Sequence, residues 1–418
     1  MRLTRSAMVA AVLTVLGAAT AFTGTAQAAE SLKIAVVEAL SGPGSTTNRL
    51  FAVATKYWVK DINARGGWNG TPIEYLEYDS QGSTSVAAEK ASAAIKDGAH
   101  ILLQGGSSSI AGQITEDVRK HNLRNPDQPV MFINPGSEAL ELTGSKCHFY
   151  FFRFATNAEM RVKAMVLAMK EAGHLGAKVF SINQNYSWGK DMQTVTQAYD
   201  SLGGYEVIDA VLHDVNKIQD FSPYVARISS SGADTVITGN WGSDLLLLLK
   251  AVSSAGLDVQ FGTMFLDLPG NLASAGEASV GYYTVQSFNA EAGGAAGQTL
   301  AEAYEAKVGT APTASEVRTL FALQMLEAAL AEVAPGDKVS VKEIALATEK
   351  ARIDTPIGEI TMRAADHQAV VPMVVARVSK EAAFKVDGTD MGFQPVKIIS
   401  GPDGVSAVQE SCSMKRPS

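Results

Sequence analysis

The sequence predicts an α/β protein of two lobes, each a doubly wound parallel sheet with helices on both faces. Three observations point to this. The chain has 418 residues, more than one hydrophobic core usually serves. From Ser31 onward, short β-rich runs alternate with helical stretches, the pattern of parallel strands joined by crossover helices. From His148 the same alternation starts again. A composition of 46% hydrophobic and 19% charged residues is that of a globular chain.

The first unit reads strand "LKIAVVEAL", loop "SGPGSTTN" and helix "FAVATKYWVKDINARGG". It continues with strand "PIEYLEYD", helix "SVAAEKASAAIKDGA", strand "HILLQGG", helix "SIAGQITEDVRKHN" and strand "PVMFINPG". Its helices end in Gly or Asn, as helix C-termini prefer. The second unit opens with "HFYFFRFA". Strands follow at "AKVFSINQN", "YEVIDAVLH", "DTVITG" and "VQFGTMFL", each trailing a helix. From Gly297 to Arg352 helices dominate, and strand-like segments return at "PIGEITMR", "VVPMVVARV" and "FQPVKIISG". A late helical block followed by late strands predicts that the chain recrosses between lobes and completes each one.

Residues 1–28 read as a secretory signal peptide. "MRLTR" is a basic n-region, "SAMVAAVLTVLGAATAF" an apolar h-region, and "AQA" a small-x-small site for cleavage after Ala28. Cleavage removes Arg2 and Arg5, so the net charge of −8 (35 Lys+Arg, 43 Asp+Glu) becomes 33 − 43 = −10. An acidic chain without a basic patch argues against a nucleic-acid partner. In an exported protein, two cysteines, Cys147 and Cys412, most simply pair. Two separate buried thiols are the alternative.

Ligands of open α/β sheets bind beyond the carboxyl ends of the strands, so the strand-to-helix turns are the candidate sites. In "LLQGGSSSIAG", two glycines, Gly105 and Gly106, and three serines, Ser107, Ser108 and Ser109, expose backbone N–H groups and hydroxyls at a helix start, a ready site for a carboxylate. It lacks the GK[ST] of a Walker loop and the second glycine of a nucleophile elbow. N-capping by serine is the structural alternative. "INPGSEALEL" contributes Gly136 and Ser137, and "VEALSGPGSTTN" contributes Ser45. The second unit differs: "SINQNYSWGKD" carries Tyr186 and Trp188, and "ITGNWGSD" carries Trp241, just ahead of five consecutive leucines, Leu245 to Leu249. Aromatic turns at one sheet edge suggest apolar plates over a ligand; packing on the adjoining helices is the alternative. The leucine run is expected to be buried all round. Six histidines, none at metal-ligand spacing from another, give no sign of a metal or catalytic centre, and no cofactor is expected.

These motifs resemble those of the periplasmic solute-binding proteins of ABC importers, in the branched-chain amino acid (Leu/Ile/Val) group. The resemblance runs through "LSGPGS", "INARGGWNGTPIEYLEYDSQ", "QGGSSSIAG", "INPGSEALELT", "FRFA", "YSWGKD" and "SSAGL", covering nearly all of the mature chain. It implies a type I binding-protein fold in which three hinge crossings, near Arg153, Ser287 and Thr355, join two jaws that close on a ligand. The lobes would then be 29–152 plus 288–354, and 153–287 plus 355–418. It implies a non-catalytic periplasmic monomer that delivers a small carboxylate ligand, foremost a hydrophobic amino acid, to a membrane permease. Sensing for a membrane kinase or chemoreceptor is a second reading, and an exported enzyme a third. The resemblance places ligand contacts at Ser107 to Ser109, Gly136, Ser137, Glu138, Trp188 and Trp241. One position departs. Where the family sets a Glu for the ligand ammonium, this chain has Phe265, with Asp267 two residues on. A buried ammonium needs a carboxylate partner. If neither Asp267 nor Glu138 reaches the cleft, an organic acid without an α-amine fits better.

Overall fold

A computed structural model describes residues 30–42 and 44–417, so the expected signal peptide lies outside the described residues. The chain opens with β1 (Lys33–Glu38), α1 (Ser45–Ala64), β2 (Glu74–Asp79), α2 (Thr84–Lys96), β3 (Ile101–Leu103), α3 (Ser108–Arg124), β4 (Met131–Asn134) and β5 (Phe151–Arg153). It continues through α4 (Ala158–Glu171), β6 (Lys178–Gln184), α5 (Ser187–Ala198), α6 (Asp200–Gly203), β7 (Glu206–His213), α7 (Ser222–Ser231), β8 (Thr235–Thr238), α8 (Gly242–Ala255), β9 (Gln260–Thr263), α9 (Asn271–Ala275) and β10 (Tyr283–Gln286). Three helices follow: α10 (Gly294–Val308), α11 (Ala314–Ala331) and α12 (Val341–Thr348). The chain closes with β11 (Arg352–Thr355), β12 (Gly358–Arg363), β13 (Gln368–Val370), β14 (Met373–Ser379), β15 (Gly392–Ile399) and α13 (Gly401–Gly404).

Two sheets result. One has eight strands in the order β11-β12-β13-β5-β4-β3-β1-β2, the other seven in the order β15-β14-β10-β9-β8-β6-β7. Their centres are parallel, with fully buried runs such as Ile101 to Leu103 and Thr235 to Thr238, because helices cover both faces. Their late strands are antiparallel: β11 on β12, β12 on β13, β10 on β14 and β14 on β15. The sheets are therefore mixed, not purely parallel: β11, β12 and β13 follow one another by short turns with no crossover helix, whereas β14 meets β10 only after the chain has passed through the first sheet.

The chain leaves the first sheet after Arg153 and returns to it after Gln286. The third crossing corrects the sequence reading. Thr355 ends β11, pairs with Gly358 in a tight hairpin, and stays in the first sheet, as does β13, where Gln368 pairs with Arg153. The chain crosses only between Val370 and Met373. The C-terminal tail also departs from the expected second lobe. Arg363 Nη1 of β12, in the first sheet, donates to Ser406 O at 2.6 Å, while Asn157 Nδ2, at the start of α4 in the second lobe, donates to Ser406 Oγ at 2.7 Å. Beyond this, Cys412 is disulfide-bonded to Cys147 and Arg416 pairs with Glu349. The tail thus comes back from β15 to the first lobe. Closing a loop of 265 residues is the kind of link that restricts the unfolded chain most.

Candidate functional site

Asn134, the last residue of β4, builds the turn that follows it. Its Oδ1 accepts the N–H groups of Gly136 (3.0 Å) and Ser137 (2.7 Å), and its Nδ2 donates to Ser137 O at 2.9 Å. A Cβ on Gly136 would sit 2.4 Å from the Phe51 ring and 2.5 Å from Gly105 O, so no side chain fits there. This close approach brings the β3–α3 and β4 turns together around Phe51. Ser108, the first residue of α3, joins them: its Oγ accepts from Glu138 N and Ala139 N, both at 3.2 Å. With both lone pairs engaged, its O–H can only donate.

The second lobe presents rings whose polar ends are tied back. Trp188 is 2% exposed and donates Nε1–H to Gly239 O at 2.7 Å. Trp241 is the extended residue before α8 and donates Nε1–H to Tyr186 Oη at 2.6 Å. Tyr186, which keeps its own O–H to donate, is pushed well above the usual phenol range by burial. Phe265 meets Trp188 edge-on, 5.6 Å between centroids, and the Arg161 guanidinium lies 4.7 Å from its ring. Gly242, in the left-handed region at φ 61°, turns the chain into α8, where Asp244 is fully buried and accepts from Gln184 Nε2 at 2.7 Å. In the leucine run, Leu245, Leu248 and Leu249 are buried and Leu246 and Leu247 only half-buried. The helix thus keeps one inward stripe and is not enclosed all round.

The two sets of turns face each other across a cleft of about 390 Å³ of empty space, its open mouth included. It is lined by Ser108, Gly136, Ser137 and Glu138 from the first lobe and by Tyr186, Trp188, Trp241 and Phe265 from the second. The jaws touch: Leu140 N–H donates to Asp191 Oδ2 at 2.7 Å, and the Trp241 ring lies 3.4 Å from where a Cβ on Gly44 would stand. Four residues expected at the site do not line it. Ser45 only starts α1, and Thr47, two residues on, lines the cleft in its place. Ser107 stands at the N-cap position of α3, without a side-chain capping hydrogen bond, and Ser109 sits a step past Ser108; neither lines the cleft. Asp267 also stays off the lining, and burial pushes its carboxyl up.

Two groups were not foreseen. Glu38, ending β1, is fully buried, and its Oε1 accepts from Gly105 N (2.5 Å) and Gly106 N (3.1 Å). These are the amides that sequence reasoning offered to a ligand carboxylate. Burial, opposed by these hydrogen bonds, raises the Glu38 carboxyl from 4.5 to about 8. The second group is an ion cluster. Glu138 Oε1 accepts from Arg318 Nη1 at 2.6 Å and Thr156 Oγ1 at 2.8 Å, and Arg161 Nε lies 3.0 Å from Oε2. Arg161 also donates to Met264 O and to Thr156 Oγ1. Glu138, Arg161 and Arg318 are each at most 4% exposed. Arg318 sits on α11, far along the chain from every ligand turn, so no local motif marks it; Glu38 reads as one more strand residue.

A family profile described as Periplasmic binding protein matches residues 31–383. The chain belongs to the periplasmic binding protein family. Among curated family members it is 53% identical, over 390 residues, to Leu/Ile/Val-binding protein homolog 4 of Brucella melitensis, covering 93% of this chain and 94% of that protein. It is 25% identical to the Leu/Ile/Val-binding protein of Escherichia coli over 339 residues, 80% of this chain and 87% of the relative. Among solved binding proteins, the closed form of the leucine-, isoleucine-, valine-, threonine- and alanine-binding protein from Brucella ovis superposes with a TM-score of 0.88 at 53% identity. It covers 93% of this chain and all of that one. Family members are solute-binding proteins. Among the described residues no cluster of His, Cys, Asp and Glu could hold a metal, and no helix is long and apolar enough to cross a membrane.

Proposed function

We propose that the chain binds an aliphatic L-amino acid of the leucine, isoleucine and valine class between its lobes, without catalysis. In this reading it is exported by its N-terminal signal peptide, acts in the periplasm as a monomer, and delivers the ligand to the inner-membrane permease of an ABC importer. The observation that carries the proposal is the two-sided cleft. Hydroxyl donors at Ser108 and Tyr186 come from opposite lobes, and Trp241, Trp188, Phe265 and Leu268 supply apolar surface between them. The Brucella relatives, named for such amino acids, support the choice of ligand. A ligand that touches both walls only when the jaws meet stabilises the closed state by its differential affinity.

One observation favours the second reading, an organic acid without an α-amine. Phe265 stands where the resemblance expects an acidic residue, and the Arg161 guanidinium behind its ring disfavours a cation there. Thermal denaturation with a ligand panel separates the two. Leucine, isoleucine and valine are expected to raise Tm in proportion to binding, with 4-methylpentanoate and benzoate giving smaller shifts. A larger shift with the deaminated acid would transfer the proposal to organic acids. No shift with any amino acid would end it.

A further inference from the structure

A buried ion cluster borders the cleft. Two guanidiniums, Arg161 and Arg318, converge on the single carboxylate of Glu138. Asp267, its carboxyl pushed up by burial and drawn down by these guanidiniums, is the other acid acting on both arginines. Arg318 lines the cleft and is 4% exposed, yet its Nε has no hydrogen-bond partner. A buried donor left unpaired is costly unless something else satisfies it. The amides that would otherwise take an acidic ligand group, those of Gly105 and Gly106, already serve Glu38. Two further hydroxyls of the cleft are free to donate: the Ser108 oxygen already accepts twice, and Tyr186 Oη accepts from Trp241.

We propose that Arg318 determines the cleft's specificity for a carboxylate, its guanidinium held by Glu138 and donating to the acidic group of the ligand that the Ser108 and Tyr186 hydroxyls also read. This rests on the reading of the cleft as an amino-acid site and adds the residue that makes an acidic group obligatory. Arginine suits the task because its charge is permanent and one edge can grip Glu138 while another faces the ligand. Glu138 then acts as a positioning residue: it orients Arg318 and, through Arg161, ties that orientation to the second lobe.

The test compares L-leucine with L-leucinamide, which keeps the amine and side chain but replaces the carboxylate by a neutral amide. Calorimetric titration of the wild type at neutral pH is expected to favour leucine by about 100-fold. Arg318→Met is expected to reduce that preference to about tenfold or less, mostly through weaker leucine binding, and Arg318→Lys to restore part of it. Ligand-free thermal denaturation shows whether each variant folds. Where Arg318→Met does not, the double variant Arg318→Gln with Glu138→Gln, which removes both members of the buried pair, is read in its place. Equal losses for leucine and leucinamide, or an unchanged preference, would overturn the assignment of Arg318 and leave the amino-acid site standing. A wild type that binds leucine no better than leucinamide would overturn it too. No leucine binding by the wild type would overturn both readings.

Discussion

The two walls of the cleft solve opposite problems. The first-lobe wall is made of polar groups that already have partners: Ser108 holds two backbone amides, Ser137 donates to Gly105 O at 3.2 Å, and Glu138 holds two arginines. The second-lobe wall is made of rings whose N–H groups are turned away, Trp188 to Gly239 and Trp241 to Tyr186. The first wall is thus preorganised by hydrogen bonds and ion pairs, the second by packing. Damage to the first leaves charges stranded; damage to the second leaves space.

The sharpest way to break this contrast is Glu138→Ala. It strands Arg161 and Arg318, both 4% exposed, and should cost about 3–5 kcal/mol of stability. Denaturant unfolding checks this; a loss under about 1 kcal/mol would show that the arginines find other partners. Next comes a pair on the apolar wall. Trp188→Ala, at 2% exposure, should behave as a core truncation of about 3–5 kcal/mol. Trp241→Ala should weaken leucine binding by about tenfold or more at a smaller cost in stability. Parallel unfolding and calorimetry separate the two roles, and equal affinity losses would merge them. A pH-dependent effect concerns the layer beneath the polar wall. Glu38 is raised from 4.5 to about 8. Between those values the unfolded chain has lost a proton that the folded chain keeps. Stability from this group is complete below pH 4.5 and falls as pH rises toward 8, by up to about 1.4 kcal/mol per pH unit. Glu38→Gln should remove this slope, making the variant gain on the wild type between pH 5 and 8 in urea melts. Parallel curves would show that Glu38 ionises normally.

Much of the fold was legible because its signals are local. The alternation of strands and helices and the glycine-rich turns report on chemistry within reach of their neighbours in sequence; the cysteine pair was legible only because an exported chain with two cysteines offers a single pairing. The third crossing was misplaced because β11 and β12 have the pattern of strands but carry no mark of which sheet they join; the parallel pairing of Gln368 with Arg153 decides that. At the cleft the sequence located the right turns but not always the right residue within them. Ser108 faces inward and Ser107 and Ser109 do not, a matter of one helical step; Thr47 lines the cleft where Ser45 was expected.

By itself the sequence determined the class of the protein: two serial α/β units, a polar set of turns in one and an aromatic set in the other. Both follow from residue type and spacing, which act over a few residues. Only the tertiary structure decided where the buried ionisable groups lie. Glu38 captures the amides of Gly105 and Gly106 across 67 residues, and Arg318 reaches Glu138 across 180. Burial gives such contacts their weight, because a polar or ionised group removed from water needs a partner wherever the chain can bring one. The sequence showed Trp241 in its glycine turn and offered the turns for a carboxylate. The folded chain gave those amides to its own Glu38 and set Arg318 beside the cleft.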